Sequence, residues 1–150
     1  MVLLLIIVVL VAFFVWYHCV NVKHAQSVLE KIVARANAEH GLAFNSDPET
    51  SAGKATILFS THRHLLFDTS NRKLMFVNPG RQEYSVHDYS YIDRWQLNWV
   101  EHSVKGRMTH RDVYFALSTN DINCPVINVP IISKKYGDEW NQRLRLLLKG

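Results

Sequence analysis

The N-terminal stretch, residues 2–20, constrains this chain more than any other segment. It contains no Asp, Glu, Lys or Arg, and residues 2–17 are sixteen consecutive aliphatic or aromatic residues. As a helix, nineteen residues reach roughly 28 Å, which is close to the hydrocarbon thickness of a bilayer. The sequence therefore predicts a transmembrane anchor over residues 1–22. Its predicted anchor residues are Val2, Leu5, Val8, Val11, Phe14, Trp16 and Tyr17.

Two other interpretations of this stretch remain open. A cleaved signal peptide has a basic segment before its apolar core and a cleavage site of small residues. Only Met1 precedes the apolar run here, and the bulky residues 13–17 do not resemble such a site. A buried core helix is usually shorter and carries some polar positions.

The charges that flank the stretch predict its orientation. Lys23, Lys31 and Arg35 follow the apolar run, whereas only Met1 precedes it. By the positive-inside rule, the N-terminus lies outside and the remainder is cytoplasmic, in a single-pass protein of the cell (inner) membrane. The two cysteines, Cys19 and Cys124, do not suggest a disulfide framework.

The charge of the chain lies entirely beyond the apolar stretch. All 30 Lys, Arg, Asp and Glu residues follow position 22, and the net charge is +4. A modest positive excess suits an anionic membrane surface, so membrane lipid is a predicted partner. Nucleic acid is not a predicted partner, because no Lys/Arg run has the density that binding needs.

Residues 23–40 have the pattern of an amphipathic helix that ends at Gly41. An apolar stripe recurs at helical spacing, comprising Ala25, Val28, Leu29, Ile32, Val33 and Ala36. The stripe predicts a contact through Val28, Leu29, Ile32 and Val33, either with the domain core or with another copy or partner. Residues 45–53, which are rich in turn formers, predict a linker. Residues 23–53 are thus predicted to be a helical stalk and linker.

From residue 54 the apolar period changes from 3.6 to 2. Strands are predicted over 55–60, 64–68, 73–78, 83–87, 94–100, 112–119 and 125–131, with a loop over 102–109. The chain closes with an amphipathic helix that carries Tyr136, Trp140 and Leu144 on its apolar face. The predicted fold class is therefore α+β. A small antiparallel β-barrel or sandwich over residues 54–150 is capped by the C-terminal helix.

Three local patterns in residues 54–150 resemble the bacterial pleckstrin-homology-like (PH-like) domains. Residues 65–76 resemble their hairpin, which pairs an acidic residue with a basic turn; here these are Asp68 and Arg72-Lys73. Residues 84–92 with the Trp95 strand resemble the crossing between the two sheets, and residues 139–144 resemble the closing helix. The resemblance implies a binding or assembly module without shared catalytic residues. The dense Lys/Arg cluster that lipid-binding members carry in their first strand loop is missing.

Motifs for catalysis are absent from the sequence. It has no phosphate-binding glycine loop, nucleophile elbow, HExxH or CxxC pattern. His62 and His64 form an HxH that would place both rings on one face of a strand, which leaves a metal-dependent hydrolase as a minor alternative. We expect no enzyme activity, no cofactor and no metal.

The resulting hypothesis is a membrane-anchored, non-enzymatic interaction or scaffold domain at the cytoplasmic face. It would bind a protein partner or assemble with copies of itself. The alternative is a sensor of anionic lipid that uses the hairpin-tip cations Arg72, Lys73 and Arg81. Trp95, Trp99 and Trp140 are predicted to form one core cluster between sheet and helix; the alternative is an exposed aromatic patch for a partner peptide.

Overall fold

The computed structural model describes the backbone of residues 2–149 and the side chains of that range except 2–5, 8, 18, 19 and 22. Three α-helices, seven strands and one 3-10 helix follow one another along this part of the chain. In order they are α1 (Val2–His40), α2 (Ser51–Thr56), β1 (Ile57–Leu58), β2 (His64–Asp68), β3 (Lys73–Asn78), β4 (Glu83–Asp88), the 3-10 helix (Tyr89–Tyr91), β5 (Ile92–Val104), β6 (Arg107–Thr119), β7 (Val126–Pro130) and α3 (Lys134–Lys149).

The strands form two antiparallel sheets of consecutive strands. The first sheet has the order β1-β2-β3-β4, and the second has the order β5-β6-β7. The predicted α+β class, with antiparallel strands and a closing C-terminal helix, is confirmed. The predicted strands over 64–68 and 73–78 have the observed bounds.

The main core lies between the inner faces of the two sheets and α3. Phe67 and Leu74 of the first sheet meet Phe115 and Leu117 of the second, and Trp140 of α3 is completely buried beside them. The Trp140 and Phe67 rings stack with centroids 6.1 Å apart. Gly137 lets α3 approach β5 closely, because a Cβ at this position would lie 2.8 Å from a methyl carbon of Leu97.

A second core covers the outer face of the first sheet. Leu29, Ile32 and Val33 of α1 pack with Leu66 and Met75 of this sheet, and all five are buried. The partly buried Val28 packs against the same cluster. The segment predicted to be a stalk therefore packs on the β-structure.

The end of α1 is fastened by polar contacts. The helix ends at His40, and Gly41 follows with φ of +64°, as the sequence predicts. The Asn37 side chain accepts a hydrogen bond from Phe44 N (2.9 Å) and donates one to Phe44 O (3.0 Å). These bonds hold Phe44 against the covered sheet face.

The predicted transmembrane anchor, single-pass topology and inner-membrane location are wrong. Within the part of the chain that the structure describes, no helix combines the length and the apolar character that crossing a bilayer requires. Val2, Leu5 and Val8 lie outside the described side chains, whereas Val11, Phe14, Trp16 and Tyr17 are exposed on α1.

Two further differences concern the bounds of predicted segments. The helix α2 takes up residues 51–53 of the predicted linker and the start of the strand predicted over 55–60, of which only Ile57–Leu58 form β1. Thr50 caps this helix by accepting a hydrogen bond from Gly53 N at 3.0 Å. The predicted loop over 102–109 is instead the end of a long hairpin, because β5 continues to Val104 and β6 begins at Arg107.

Candidate functional site

The β5–β6 hairpin extends well beyond the body of the second sheet. Both strands have thirteen residues, but β7 pairs only with the part of β6 from Tyr114 to Ser118. Residues 99–112, which we call the ribbon, have no strand beside them except each other within the described chain. Every residue of the ribbon is exposed. An isolated two-stranded hairpin is marginally stable in water, so pairing with a further strand would stabilise the ribbon.

The ribbon has a defined turn at its tip and a bulge at its base. Lys105 and Gly106 both have positive φ, +48° and +75°, which is the requirement of a two-residue type I′ turn. Asp112 has a φ of +49° opposite the register shift at Trp99. Such a bulge adds local twist and redirects the strands, so the ribbon is a shaped element of the fold.

Large apolar side chains are exposed on both faces of the ribbon. The strand pairing places Val100 and Val104 on the face that continues the outer face of the second sheet, beside Arg107 and Arg111. Met108 lies on the opposite face and is 59% exposed. Edges without a strand partner and exposed apolar side chains together are typical of a surface that pairs with another polypeptide.

Trp99 joins the ribbon to the start of α3. Lys134 Nζ lies 4.4 Å from the centroid of the Trp99 ring, while His110 meets the ring edge-on at 6.3 Å. Lys134 is itself paired with Asp138 at 2.8 Å. Trp99 nevertheless remains 38% exposed, so its ring is oriented but not covered.

A cleft of about 330 Å³ opens between the inner face of β4 and the start of β7. Arg63 and Arg81 are exposed at its lining, and the His87 and Tyr91 rings stack at 3.8 Å against each other. Burial lowers the pKa of His87, although Asp121 and Asp88 oppose that shift. Burial also raises the pKa of Tyr91. Both shifts favour uncharged rings at neutral pH, so the cations of this cleft are its arginines.

The hairpin-tip cations predicted to contact headgroups or a partner do not lie together. Arg72 is at the β2–β3 turn over the Tyr89 ring, and Lys73 pairs with Asp88 at 2.7 Å. Arg81 is at the other end of β3, which is six residues or about 20 Å away. A single basic patch made from Arg72, Lys73 and Arg81 is therefore not present.

The HxH histidines are also separated by their surroundings. His62 is exposed, whereas His64 packs edge-on against Phe59 and its Nδ1 accepts a hydrogen bond from Ser60 N at 3.4 Å. Burial lowers the pKa of His64, with the Ser60 bond opposing the shift. Across the described residues, no group of three or more His, Cys, Asp or Glu is placed to hold a metal ion.

The predicted tryptophan cluster is only partly present. Trp140 is in the core, Trp95 is half-buried at the edge of the core, and Trp99 is on the ribbon. The sequence pattern predicted a loop over 102–109, where the ribbon lies. Its available signal was Lys105-Gly106 between β-compatible residues, the composition of a two-residue hairpin turn.

Comparison of the chain with protein-family models, with curated proteins and with solved structures finds no match.

Proposed function

We propose that the protein is a non-enzymatic, PH-like interaction module that associates with a second copy of itself through the ribbon. The proposal rests on one observation: every residue from Trp99 to Asp112 is exposed on a two-stranded hairpin. The PH-like assignment is supported by the four-stranded sheet, the three-stranded sheet and the closing helix, in that order along the chain.

A second copy is the partner that the ribbon geometry favours. The free edges of β5 and of residues 107–112 offer backbone donors and acceptors to any added strand. Two copies related by a two-fold axis would pair the same edge in antiparallel register and bring Val100 and Val104 of each together. A stable interface buries about 800 Å² on each partner, so the two-fold contact would extend from the ribbon onto its flanks.

The alternatives from the sequence receive less support. A lipid sensor built on Arg72, Lys73 and Arg81 would need one basic surface, and these cations lie at opposite ends of β3. A hydrolase built on His62 and His64 would need both rings to be accessible at one point. His64 is instead packed on Phe59.

Sedimentation of the full-length chain tests self-association. We expect Val100→Glu and Val104→Glu each to weaken association by about tenfold or more, because each places a charge in the apolar contact. Ile122→Glu is the matched control, since Ile122 is an exposed aliphatic residue in the β6–β7 loop, outside the ribbon. A monomeric wild-type chain at high concentration, or equal association of all three variants, would overturn the proposal.

A further inference from the structure

A second cleft lies at the other end of β5, where that strand meets the last turns of α3. Its volume is about 390 Å³, and its lining contains three cations and no carboxylate. The lining residues are Arg94, Trp95, Asn141, Arg145 and Lys149. The cleft is separate from the ribbon and from the cleft beside β4.

The three residues that α3 contributes to the cleft form one column along the helix. Asn141, Arg145 and Lys149 are spaced by four residues, which places them on one face of α3. Trp95 Nε1 donates a hydrogen bond to Asn141 Oδ1 at 2.9 Å, which joins β5 to the column. Lys149 Nζ lies 5.3 Å from the centroid of the Trp95 ring. The face of α3 that carries Arg145 and Lys149 is therefore joined to β5 through Trp95.

Among the described residues, few acidic groups compensate the positive charge of this cleft. Within the described chain, no carboxylate lies within 4.0 Å of Arg145 or Lys149. Arg94 has only Asp93, at 3.9 Å and on an exposed surface, where an ion pair contributes little. Like charges at i and i+4 on a helix repel each other. A bound anion would relieve that repulsion, and a dianion would do so most strongly.

The site extends beyond the space of a bare ion, because a second groove adjoins the cleft. A shallow groove of about 430 Å³ shares Arg94 and Trp95 and runs onto the outer face of the second sheet. Its other lining residues are uncharged: Gln96, Ala116, Ser118 and Val126.

From these observations we infer that the β5–α3 cleft binds a phosphate monoester, with the phosphate on Arg94, Arg145 and Lys149 and an uncharged organic group in the adjoining groove. Guanidinium groups match the oxygens of a phosphate through two parallel hydrogen bonds, and a lysine adds a point charge. The small side chains of Ala116 and Ser118 leave space for the organic group beside Trp95.

Calorimetric titration of the full-length chain with phenyl phosphate tests the inference. We expect saturable binding of one equivalent, together with a shift of the Trp95 indole N–H resonance, identified by its loss in Trp95→Phe. Arg145→Gln and Lys149→Gln should each weaken binding by about tenfold. Lys135→Gln removes the same charge from the same helix outside the cleft and should change the affinity by less than about twofold.

Further probes separate the two parts of the site. Glycerol 3-phosphate and inorganic phosphate should bind more weakly than phenyl phosphate if the organic group uses the groove. Benzoate, which has the ring but a single charge, should bind weakest. Equal binding of benzoate, or equal affinity of Arg145→Gln and Lys135→Gln, would overturn the inference. Val100→Glu should leave phenyl phosphate binding unchanged, so failure here and failure of ribbon association are distinguishable.

Discussion

The outer face of the first sheet is buried, whereas the outer face of the second sheet is uncovered among the described residues. On the first sheet, Leu66, Met75 and Val77 point outward and are completely buried beneath α1. On the second sheet, the corresponding face carries Arg94 and Gln96 and has no covering element among the described residues. Both sheets use their inner faces for the same core.

This difference separates the structural part of the molecule from the part that is open to partners. The first sheet is enclosed on both sides, which explains the unbroken apolar runs in β2 and β3. Apolar and polar residues alternate along the strands of the second sheet, because one of its faces is exposed to solvent. Both the ribbon and the phosphate cleft that we propose lie on this second sheet, whose outer face has no cover among the described residues.

The largest effect should come from placing a charge under the covering helix. Val33 is 1% exposed between α1 and the first sheet, so Val33→Asp would bury an unpaired carboxylate. We expect the free energy of unfolding to fall by about 3 kcal/mol or more, measured by chemical denaturation. The apolar contacts of Val33 would be lost as well, which acts in the same direction.

A neighbouring substitution provides the control for this effect. Ala34 lies one residue further along the same helix and is exposed, so Ala34→Asp should cost only about 0.5 kcal/mol of helix propensity. If both variants lost equal stability, the helix would not cover the sheet as described. A large loss for Val33→Asp alone would confirm that α1 belongs to the folded domain.

The sequence was sufficient to predict the elements whose burial is regular. The apolar stripe of α1, the runs in β2 and β3, and the face of α3 that carries Trp140 each have a clear period, and each forms the expected element. The ribbon lacks such a period, because both of its faces are exposed and the bulge at Asp112 interrupts the alternation. Exposed strands leave little hydrophobic signal in a sequence.

The candidate sites were less predictable than the fold for a related reason. Arg94 and Arg145 are 51 positions apart and meet only because α3 packs against β5. Conversely, Arg72 and Arg81 seemed close in sequence but are divided by the length of β3. Which cations converge is decided by tertiary packing, and local spacing does not contain that information.

A moderate loss of stability should follow from removing the hydrogen bonds of Asp68, one of which holds the segment after the covering helix. Asp68 is buried at the end of β2, and its carboxylate accepts hydrogen bonds from Ala43 N (2.8 Å), Ser70 N and Asn71. Asp68→Asn would replace one acceptor oxygen by a donor that faces these donors. We expect a loss of about 1–3 kcal/mol in the free energy of unfolding at pH 7.

The ionisation of Asp68 should make the stability difference between wild type and Asp68→Asn depend on pH. Desolvation acts to raise the pKa of Asp68, but its hydrogen bonds with Asn71, Ala43 and Ser70 together have the larger effect, so the pKa lies below its ordinary value. A lowered pKa in the folded state stabilises fully above the unfolded value of about 3.9 and is lost as the pH falls through the folded value. The stability difference between wild type and Asp68→Asn should therefore shrink below about pH 4. A difference that stayed constant down to pH 2 would contradict this assignment.

The smallest effect on stability should be found at the ion pair of Lys73 and Asp88, where the covered face of the first sheet ends. Lys73 and Asp88 are cross-strand partners on this face, and their ion pair of 2.7 Å is partly exposed. A double-mutant cycle with Lys73→Met and Asp88→Asn should give a coupling energy of about 0.2–1 kcal/mol that weakens with added salt, because water and ions screen the pair. A coupling several times larger would mean that the apolar cover shields this end too. The boundary between the enclosed and the open parts of the face would then lie beyond Lys73.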